Sequence, residues 1–218
     1  NILRFPKRHD EKGPTPPPLI NLPPITKAML MVLIAVHLGL MIPGLPVSTI
    51  ISQLGFVPAR YPAFFTGLGF DPAMIWSPLT HMIVHSGWMH LGMNAAMLAA
   101  FGAGLEQSIG AKRFIQLSVI GGLLGALTHF AIFPMVGNVM IGASGAISAQ
   151  FAAILMVMQK QGRLPTGRYG IWPFAAFWVG ISLFFAGMSG FSAGGIAWAA
   201  HLGGFVGGFI MMRKWGLS

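Results

Sequence analysis

Six long apolar segments follow one another along the chain, and they restrict its fold more than any other feature. Only 8% of the 218 residues are charged, whereas an average soluble domain has about 25%. A helix that crosses a bilayer satisfies its own backbone hydrogen bonds, so the pattern predicts an all-α membrane protein with six transmembrane helices. The predicted segments are 27–45, 78–105, 114–135, 144–159, 171–188 and 194–212.

The regions outside these segments divide the chain. Residues 1–26 are polar and rich in proline, which lacks the backbone donor that helix interiors need, so they are predicted to form a tail. The six-helix domain is expected at 27–212, followed by a short end at 213–218. The first long connection, 46–77, is rich in aromatic side chains and predicts short amphipathic helices in the membrane interface.

Positive charge falls almost entirely on one side of the predicted membrane. Of the 13 Lys and Arg residues, only Arg60 lies in a connection on the other side. Basic residues mark the cytoplasmic side of membrane proteins, so both termini are predicted to be cytoplasmic. The residues on that side are Arg4, Lys7, Arg8, Lys12, Lys27, Lys112, Arg113, Lys160, Arg163, Arg168, Arg213 and Lys214.

The net charge of +9 does not indicate nucleic-acid binding, because the basic residues form short clusters between apolar runs rather than one basic face. We expect these clusters to contact anionic lipid headgroups. The chain has no cysteine and no His-Glu-x-x-His motif. Three histidines, His81, His85 and His90, lie close in sequence without a nearby carboxylate, so neither a metal nor another cofactor is expected.

Polar side chains inside apolar segments are costly, so each is a candidate for function. Ser144 begins the fourth segment, and His201 lies roughly 10 Å into the sixth at 1.5 Å per residue. If the second helix begins at Ser86, His90 and Asn94 lie at a similar depth. The second, fourth and sixth segments run in the same direction, which places the four side chains in one layer near the outer face.

This layer predicts a serine nucleophile, Ser144, activated by the imidazole of His201. Asp71 lies in a connection and Glu106 near the cytoplasmic end of the second segment, so the prediction is a dyad without an acid. His90, Asn94 and the backbone N–H of Ser144 are candidate donors to the oxyanion of the tetrahedral intermediate. The alternative for His90 and Asn94 is that they join helices by hydrogen bonds.

Small residues support this arrangement. Gly204 and Gly208 share a helix face with His201, and small residues allow membrane helices to approach closely. Gly142 and Gly145 flank Ser144 and allow a tight entry into the fourth helix.

Four short motifs in this order resemble those of the rhomboid family of intramembrane serine proteases, with a likeness that covers about residues 27–212. They are His-x-x-x-Asn at His90 and Asn94, preceded by His81 and His85; Glu-x-x-x-Gly at Glu106 and Gly110; Gly-x-Ser-Gly at Gly142, Ser144 and Gly145; and Ala-His-x-x-Gly-x-x-x-Gly at Ala200, His201, Gly204 and Gly208.

The resemblance implies a six-helix rhomboid bundle that cleaves single-span membrane proteins in or next to their transmembrane helix. It also implies that Ser144 and His201 are catalytic and that His90, Asn94 and Gly142 line the oxyanion and substrate site. Residues expected to support the site structurally are Gly145, Gly204, Gly208, His81 and His85. The expected location is a bacterial cytoplasmic membrane, with the site toward the outer face.

The sequence departs from the family pattern at two places. Many members have a tyrosine one turn after the nucleophile that stacks on the catalytic histidine, and Ser148 stands at that position here. We therefore predict that Trp198 or a phenylalanine of the fifth segment holds the His201 ring. Many members also have a Trp-Arg pair in the first outer connection, where this chain has Ala59, Arg60 and Tyr61.

Two other functions compete with the protease. A non-catalytic rhomboid-like protein would bind transmembrane helices or act as a chaperone for them, although such relatives usually lack the serine or the histidine. A small transporter or channel would be expected to have acidic residues in the middle of the membrane, and the sequence has none there. Within the protease hypothesis, the substrate helix is expected to enter between the second and fifth segments. Bulky residues of the fifth segment predict a lateral gate there, namely Phe174, Phe177, Trp178 and Phe184.

Overall fold

The computed structural model describes residues 22–67, 69–164, 167–188 and 197–217, and the regular structure in these ranges is helical. One isolated antiparallel bridge pairs Phe56 with Met140. The α-helices are α1 (Pro24–Gly39), α2 (Val47–Leu54), α3 (Arg60–Phe65), α4 (Ala73–Thr80), α5 (Trp88–Ile109), α6 (Ala111–Ile132), α7 (Ser144–Lys160), α8 (Trp172–Met188) and α9 (Trp198–Lys214). Short 3-10 turns lie at His81–Ile83 and Gly167–Tyr169.

The all-α prediction is confirmed, and the six longer helices, α1 and α5 to α9, each overlap one of the six predicted segments, with ends that differ by several residues. Among the described residues, α6 is the one helix that is both long and apolar enough to cross a membrane by length and composition. Helix α1 and the Trp172–Phe184 part of α8 are apolar but shorter. The count of six transmembrane helices therefore stays a prediction.

The first helix is shifted relative to the predicted segment 27–45. It begins at Pro24 and ends at Gly39. Proline suits the first turn of a helix because the N–H it lacks would have no partner there. The Glu106 carboxylate accepts hydrogen bonds from the next two backbone N–H groups, those of Ile25 and Thr26. Of the predicted tail, residues 1–21 lie outside the described residues.

The second predicted segment, 78–105, is not one helix. Helix α4 ends at Thr80, a 3-10 turn follows, and α5 begins only at Trp88, so His81 and His85 precede α5. The prediction that Ser86 caps α5 is wrong, because Gly87 holds the cap position and makes no side-chain cap bond. The Ser86 hydroxyl instead contacts the ring of His90, with 3.1 Å between Oγ and Nδ1.

The first outer connection contains short helices, as predicted, namely α2, α3 and the start of α4. Arg60 holds this region together, although the family's Trp-Arg pair is missing. Its guanidinium donates to the backbone oxygens of Ser52 and Gly55 and forms an ion pair with Asp71, with 2.7 Å between Nε and Oδ2. The connection is therefore anchored through its single basic residue.

Helices α6, α7 and α9 form the closely packed centre of the molecule. A Cβ added to Gly204 of α9 would collide with the backbone oxygen of Gly145 on α7, and one added to Gly208 would collide with the backbone of Ala149. On α6, a Cβ at Gly125 would lie 2.8 Å from the backbone oxygen of Ala200. The three helices thus meet backbone to backbone, which only small residues allow.

Candidate active site

Ser144 is the first residue of α7 and is half-buried. The segment before it is fixed by two backbone contacts: Met140 pairs with Phe56, and Gly142 donates its N–H to the backbone oxygen of His81 at 2.8 Å. Gly142 has a φ of 114°, which residues with side chains rarely adopt. The first N–H groups of α7 have no side-chain cap, and helix N-termini with such groups can bind anions.

The side chains of His90 and Asn94 face this turn from α5. A Cβ placed on Gly142 would lie 2.7 Å from His90 Nε2 and 3.9 Å from Asn94 Nδ2. Asn94 is buried, and its amide donates one N–H to the backbone oxygen of His90 at 2.9 Å. The structure thus brings His90 and Asn94 together with the residues that lead into Ser144.

His201 reaches the same region from α9. Its neighbour Ala200 has its backbone oxygen 3.6 Å from the Cβ position of Gly145, and Gly204, one turn later, touches the Gly145 carbonyl. The backbones that carry Ser144 and His201 are therefore in direct contact. Within the described residues, no hydrogen bond joins the Ser144 hydroxyl to the His201 ring. In unliganded active sites such bonds are often long and shorten when substrate binds.

The His201 ring is held by α8. Its Nδ1 lies 2.9 Å from the hydroxyl oxygen of Ser182, and the ring of Trp178 packs beside it with 6.3 Å between centroids. The prediction of Trp198 for this role is wrong, because Trp198 packs edge-on against Phe133. The predicted fifth segment is the correct one, but the ring contact comes from Trp178, a tryptophan rather than a phenylalanine.

Ser148, at the position of the family's tyrosine, is part of the same cluster. It is fully buried, and its hydroxyl donates to the backbone oxygen of Ser144 at 2.7 Å. The hydroxyl oxygen of Ser148 in turn accepts the indole N–H of Trp178 at 3.1 Å. The small side chain on α7 thus leaves space that a large side chain from α8 fills.

The two upstream histidines lie next to the site and not in its centre. His81 is buried, its Nδ1 lies 3.1 Å from the backbone oxygen of Ser77, and its own backbone oxygen holds Gly142. The buried ring of His85 lies 5.0 Å from that of His90. In the part of the chain that the structure describes, no group of three or more His, Asp or Glu side chains has an arrangement that could hold a metal ion.

Ser182 was not predicted from the sequence, and Trp178 was predicted only as a gate residue and not as a neighbour of His201. The signal for Ser182 was present, since it is the only serine or threonine in the 17 residues of α8. A lone hydroxyl in an otherwise apolar helix is a candidate by the same rule that selected Ser144 and His201.

The helical bundle, with serine, histidine and amide side chains gathered at the start of one buried helix, is the arrangement of a helical membrane protein with a polar site. A family model described as the rhomboid domain matches residues 72–216, which is more than half of the chain. The protein therefore belongs to the rhomboid family, whose members are integral membrane proteins and generally serine proteases.

Individual relatives agree with this assignment. The chain is 28% identical over 142 residues to rhomboid protease GluP of Bacillus subtilis, covering 65% of this chain and 26% of the relative. It is 29% identical over 136 residues to putative rhomboid protease YdcA of the same organism, covering 62% of this chain and 65% of the relative. It is 35% identical over 80 residues to RHOMBOID-like protein 5 of Arabidopsis thaliana, covering 37% of this chain and 26% of the relative. The matches thus span about a quarter of GluP and less than two thirds of YdcA.

Proposed function

We propose that this protein is an intramembrane serine endopeptidase that cleaves single-span membrane proteins in or near their transmembrane helix. The observation that supports the proposal is the backbone contact between Gly145 and Gly204, because it packs the part of α7 that begins at Ser144 against the part of α9 that carries His201. Membership of the rhomboid family and the protease names of two relatives support the same class of reaction.

The reaction follows from the groups at the site. The Ser144 Oγ attacks the carbonyl carbon of the scissile amide while His201 Nε2 accepts the hydroxyl proton. The resulting oxyanion receives hydrogen bonds from the Ser144 backbone N–H, His90 Nε2 and the second N–H of Asn94. The C–N bond then breaks as His201 returns the proton to the leaving amine, and water hydrolyses the acyl-enzyme by the reverse sequence of proton transfers.

The proposed setting is a bacterial cytoplasmic membrane crossed six times, by α1 and α5 to α9, with both termini in the cytoplasm. In this orientation Ser144 lies toward the outer face, and the basic connections contact anionic headgroups on the inner side. The uneven distribution of Lys and Arg along the sequence supports it.

The test combines active-site labelling with proteolysis. Purified protein in liposomes is treated with a fluorophosphonate, and in parallel is reconstituted with a panel of single-span substrates. Ser144→Ala and His201→Ala should abolish labelling and reduce cleavage by about 10⁴-fold or more. Ser108→Ala, which removes an exposed hydroxyl at the opposite end of α5, is the control and should behave as wild type. Cleavage by the wild type should also decline as the pH falls, because protonated His201 has no lone pair to accept the serine proton.

The competing proposal is a non-catalytic rhomboid-like protein that binds transmembrane helices. The observation in its favour is that, among the described residues, the Ser144 hydroxyl and the His201 ring are not hydrogen-bonded. Folded wild-type protein that retains single-span proteins but neither cleaves them nor reacts with the fluorophosphonate would establish this function and exclude the protease.

A further inference from the structure

Helix α8 carries a chain of hydrogen bonds that ends at the His201 ring. The Ser182 hydroxyl has one hydrogen, and it is donated to the backbone oxygen of Trp178 at 2.8 Å. A carbonyl oxygen is only an acceptor, so the direction of this bond is fixed. Towards His201 Nδ1, 2.9 Å away, Ser182 Oγ is therefore the acceptor and Nδ1–H is the donor. The neutral ring is then left with its lone pair on Nε2.

Helix α8 is also hydrogen-bonded to α7, the helix that begins at Ser144. Trp178 donates its indole N–H to Ser148, and Ser148 donates its hydroxyl hydrogen to the backbone oxygen of Ser144. Each of the two serine hydroxyls, those of Ser148 and Ser182, donates its one hydrogen to one backbone oxygen. Ser182, Trp178 and Ser148 are 6%, 9% and 0% exposed, so water does not compete for these bonds. A buried network with all its groups paired favours one arrangement of its members.

We propose that Ser182 is a positioning residue that holds His201 as the Nδ1–H tautomer and so directs Nε2 toward the Ser144 hydroxyl. In a serine protease triad, a carboxylate hydrogen-bonded to Nδ1–H has this role. In this chain, Asp71 is paired with Arg60 and Glu106 with the start of α1, so a neutral hydroxyl on α8 replaces the acid. The inference rests on the proposed protease function.

The kinetic test compares Ser182→Ala, Ser182→Thr and the matched control Ser108→Ala. Ser108 also donates its hydroxyl to the carbonyl four residues earlier, at 2.7 Å, but it is exposed and distant from the site. Ser182→Ala should lower kcat about 10-fold without a change in KM, because the variant no longer holds the ring in the tautomer that accepts the serine proton. Threonine makes the same bond to the preceding turn, so Ser182→Thr should restore most of the activity. Wild-type kcat in Ser182→Ala, or a change in KM alone, would overturn the proposal.

A second measurement does not depend on proteolysis. Nitrogen-15 NMR of protein labelled at its seven histidines, with His201 assigned by its loss in His201→Gln, reports which ring nitrogen is protonated. The wild type should show a protonated Nδ1 and an unprotonated Nε2, and Ser182→Ala should show a mixture of tautomers. A wild-type ring protonated on Nε2 would overturn the positioning role, even if the protein is an active protease. An Nδ1–H tautomer that depends on Ser182 in a protein without protease activity would support the positioning and contradict the proposed reaction.

Discussion

At the scale of single residues, Gly142 is restricted in two independent ways. Its φ of 114° is unfavourable for any residue with a Cβ, and the position that a Cβ would occupy is 2.7 Å from His90 Nε2. The first restriction fixes the direction in which the chain enters α7. The second brings the His90 ring against the backbone that leads to Ser144, where the oxyanion of the proposed reaction would form.

Gly142→Ala should therefore reduce both stability and activity. A side chain at this φ costs about 1–3 kcal/mol, and the displaced His90 ring would no longer reach the oxyanion. We expect a lower apparent Tm in detergent and a lower kcat. The matched control is Gly137→Ala in the same connection, where φ is outside the left-handed region and no atom lies within 4 Å of the Cβ position. Equal Tm and kcat for both variants would show that neither restriction matters.

At the scale of helices, the site depends on how closely α7 and α9 approach each other. Gly204 and Gly208 lie one turn apart on α9 and touch the backbone of α7 at Gly145 and Ala149. The obstacle in each case is main chain, which a rotamer change cannot remove. Any increase in the spacing of these helices would move His201 away from Ser144.

Gly208→Ala tests this packing without touching the site. The added methyl group collides with the Ala149 backbone, and overpacking of this kind costs about 1–3 kcal/mol. The apparent Tm should fall and kcat should fall with it. Gly180→Ala on α8, where the Cβ position has no neighbour within 4 Å, should leave Tm unchanged or raise it, because alanine is the better helix former. A Gly208→Ala variant as stable as Gly180→Ala would contradict the packing argument.

A second contact between helices joins α5 to the start of α1. The buried Glu106 carboxylate accepts hydrogen bonds from the Ile25 and Thr26 N–H groups and from the Thr26 hydroxyl, at 3.0, 2.7 and 2.8 Å. A carboxylate at a helix N-terminus also interacts favourably with the helix dipole. This cap is formed by a residue about 80 positions away, so the local sequence around Pro24 does not contain it.

Glu106→Ala should destabilise the protein by about 2–3 kcal/mol, because it leaves buried donors unpaired. Glu106→Gln keeps one acceptor oxygen and should have an intermediate effect. Below the Tm, cleavage should persist in both variants, because His90 lies 16 residues away along α5, about 24 Å at 1.5 Å per residue. Gln107→Ala, at an exposed neighbouring position, is the stability control. Unchanged stability in Glu106→Ala would show that the cap is dispensable.

Features that depend on the local sequence could be predicted, whereas contacts between residues far apart in the chain could not. Helix positions follow from apolar runs, and the approach of His90 and Asn94 to the turn before Ser144 follows from spacing and direction, so both could be predicted. The shared depth of these residues and His201 in the membrane stays a prediction. The break between α4 and α5 was missed because the apolar run continues through it. The support of His201 was misassigned because it depends on which face of α8 meets α7 and α9, and a helix that is apolar all round has no periodicity to indicate that face.

At the scale of the whole molecule, the proposed membrane crossings are supported less by the lengths of the helices than by the distribution of basic residues. Helices α7, α8 and α9 have 17 residues each, about 26 Å at 1.5 Å per residue. A bilayer core is about 30 Å thick, so these helices would require locally thinned lipid. The distribution of Lys and Arg does not depend on helix length, and it is the basis of the proposed orientation.

The absence of cysteine from the sequence allows this orientation to be tested with single introduced thiols. Phe65→Cys and Met135→Cys place a thiol at exposed positions in two of the proposed outer connections, and Lys112→Cys and Arg163→Cys do so in the first turn of α6 and in the proposed inner connection after α7. A membrane-impermeant maleimide added to intact cells should label the first pair, whereas the second pair should react only after permeabilisation. Labelling of all four from outside would contradict a six-times crossed membrane, because Lys112 and Met135 lie at opposite ends of α6, the helix best suited to span it. Labelling of only Lys112→Cys and Arg163→Cys from outside would support the membrane crossings with the opposite orientation, in which Ser144 lies toward the cytoplasm.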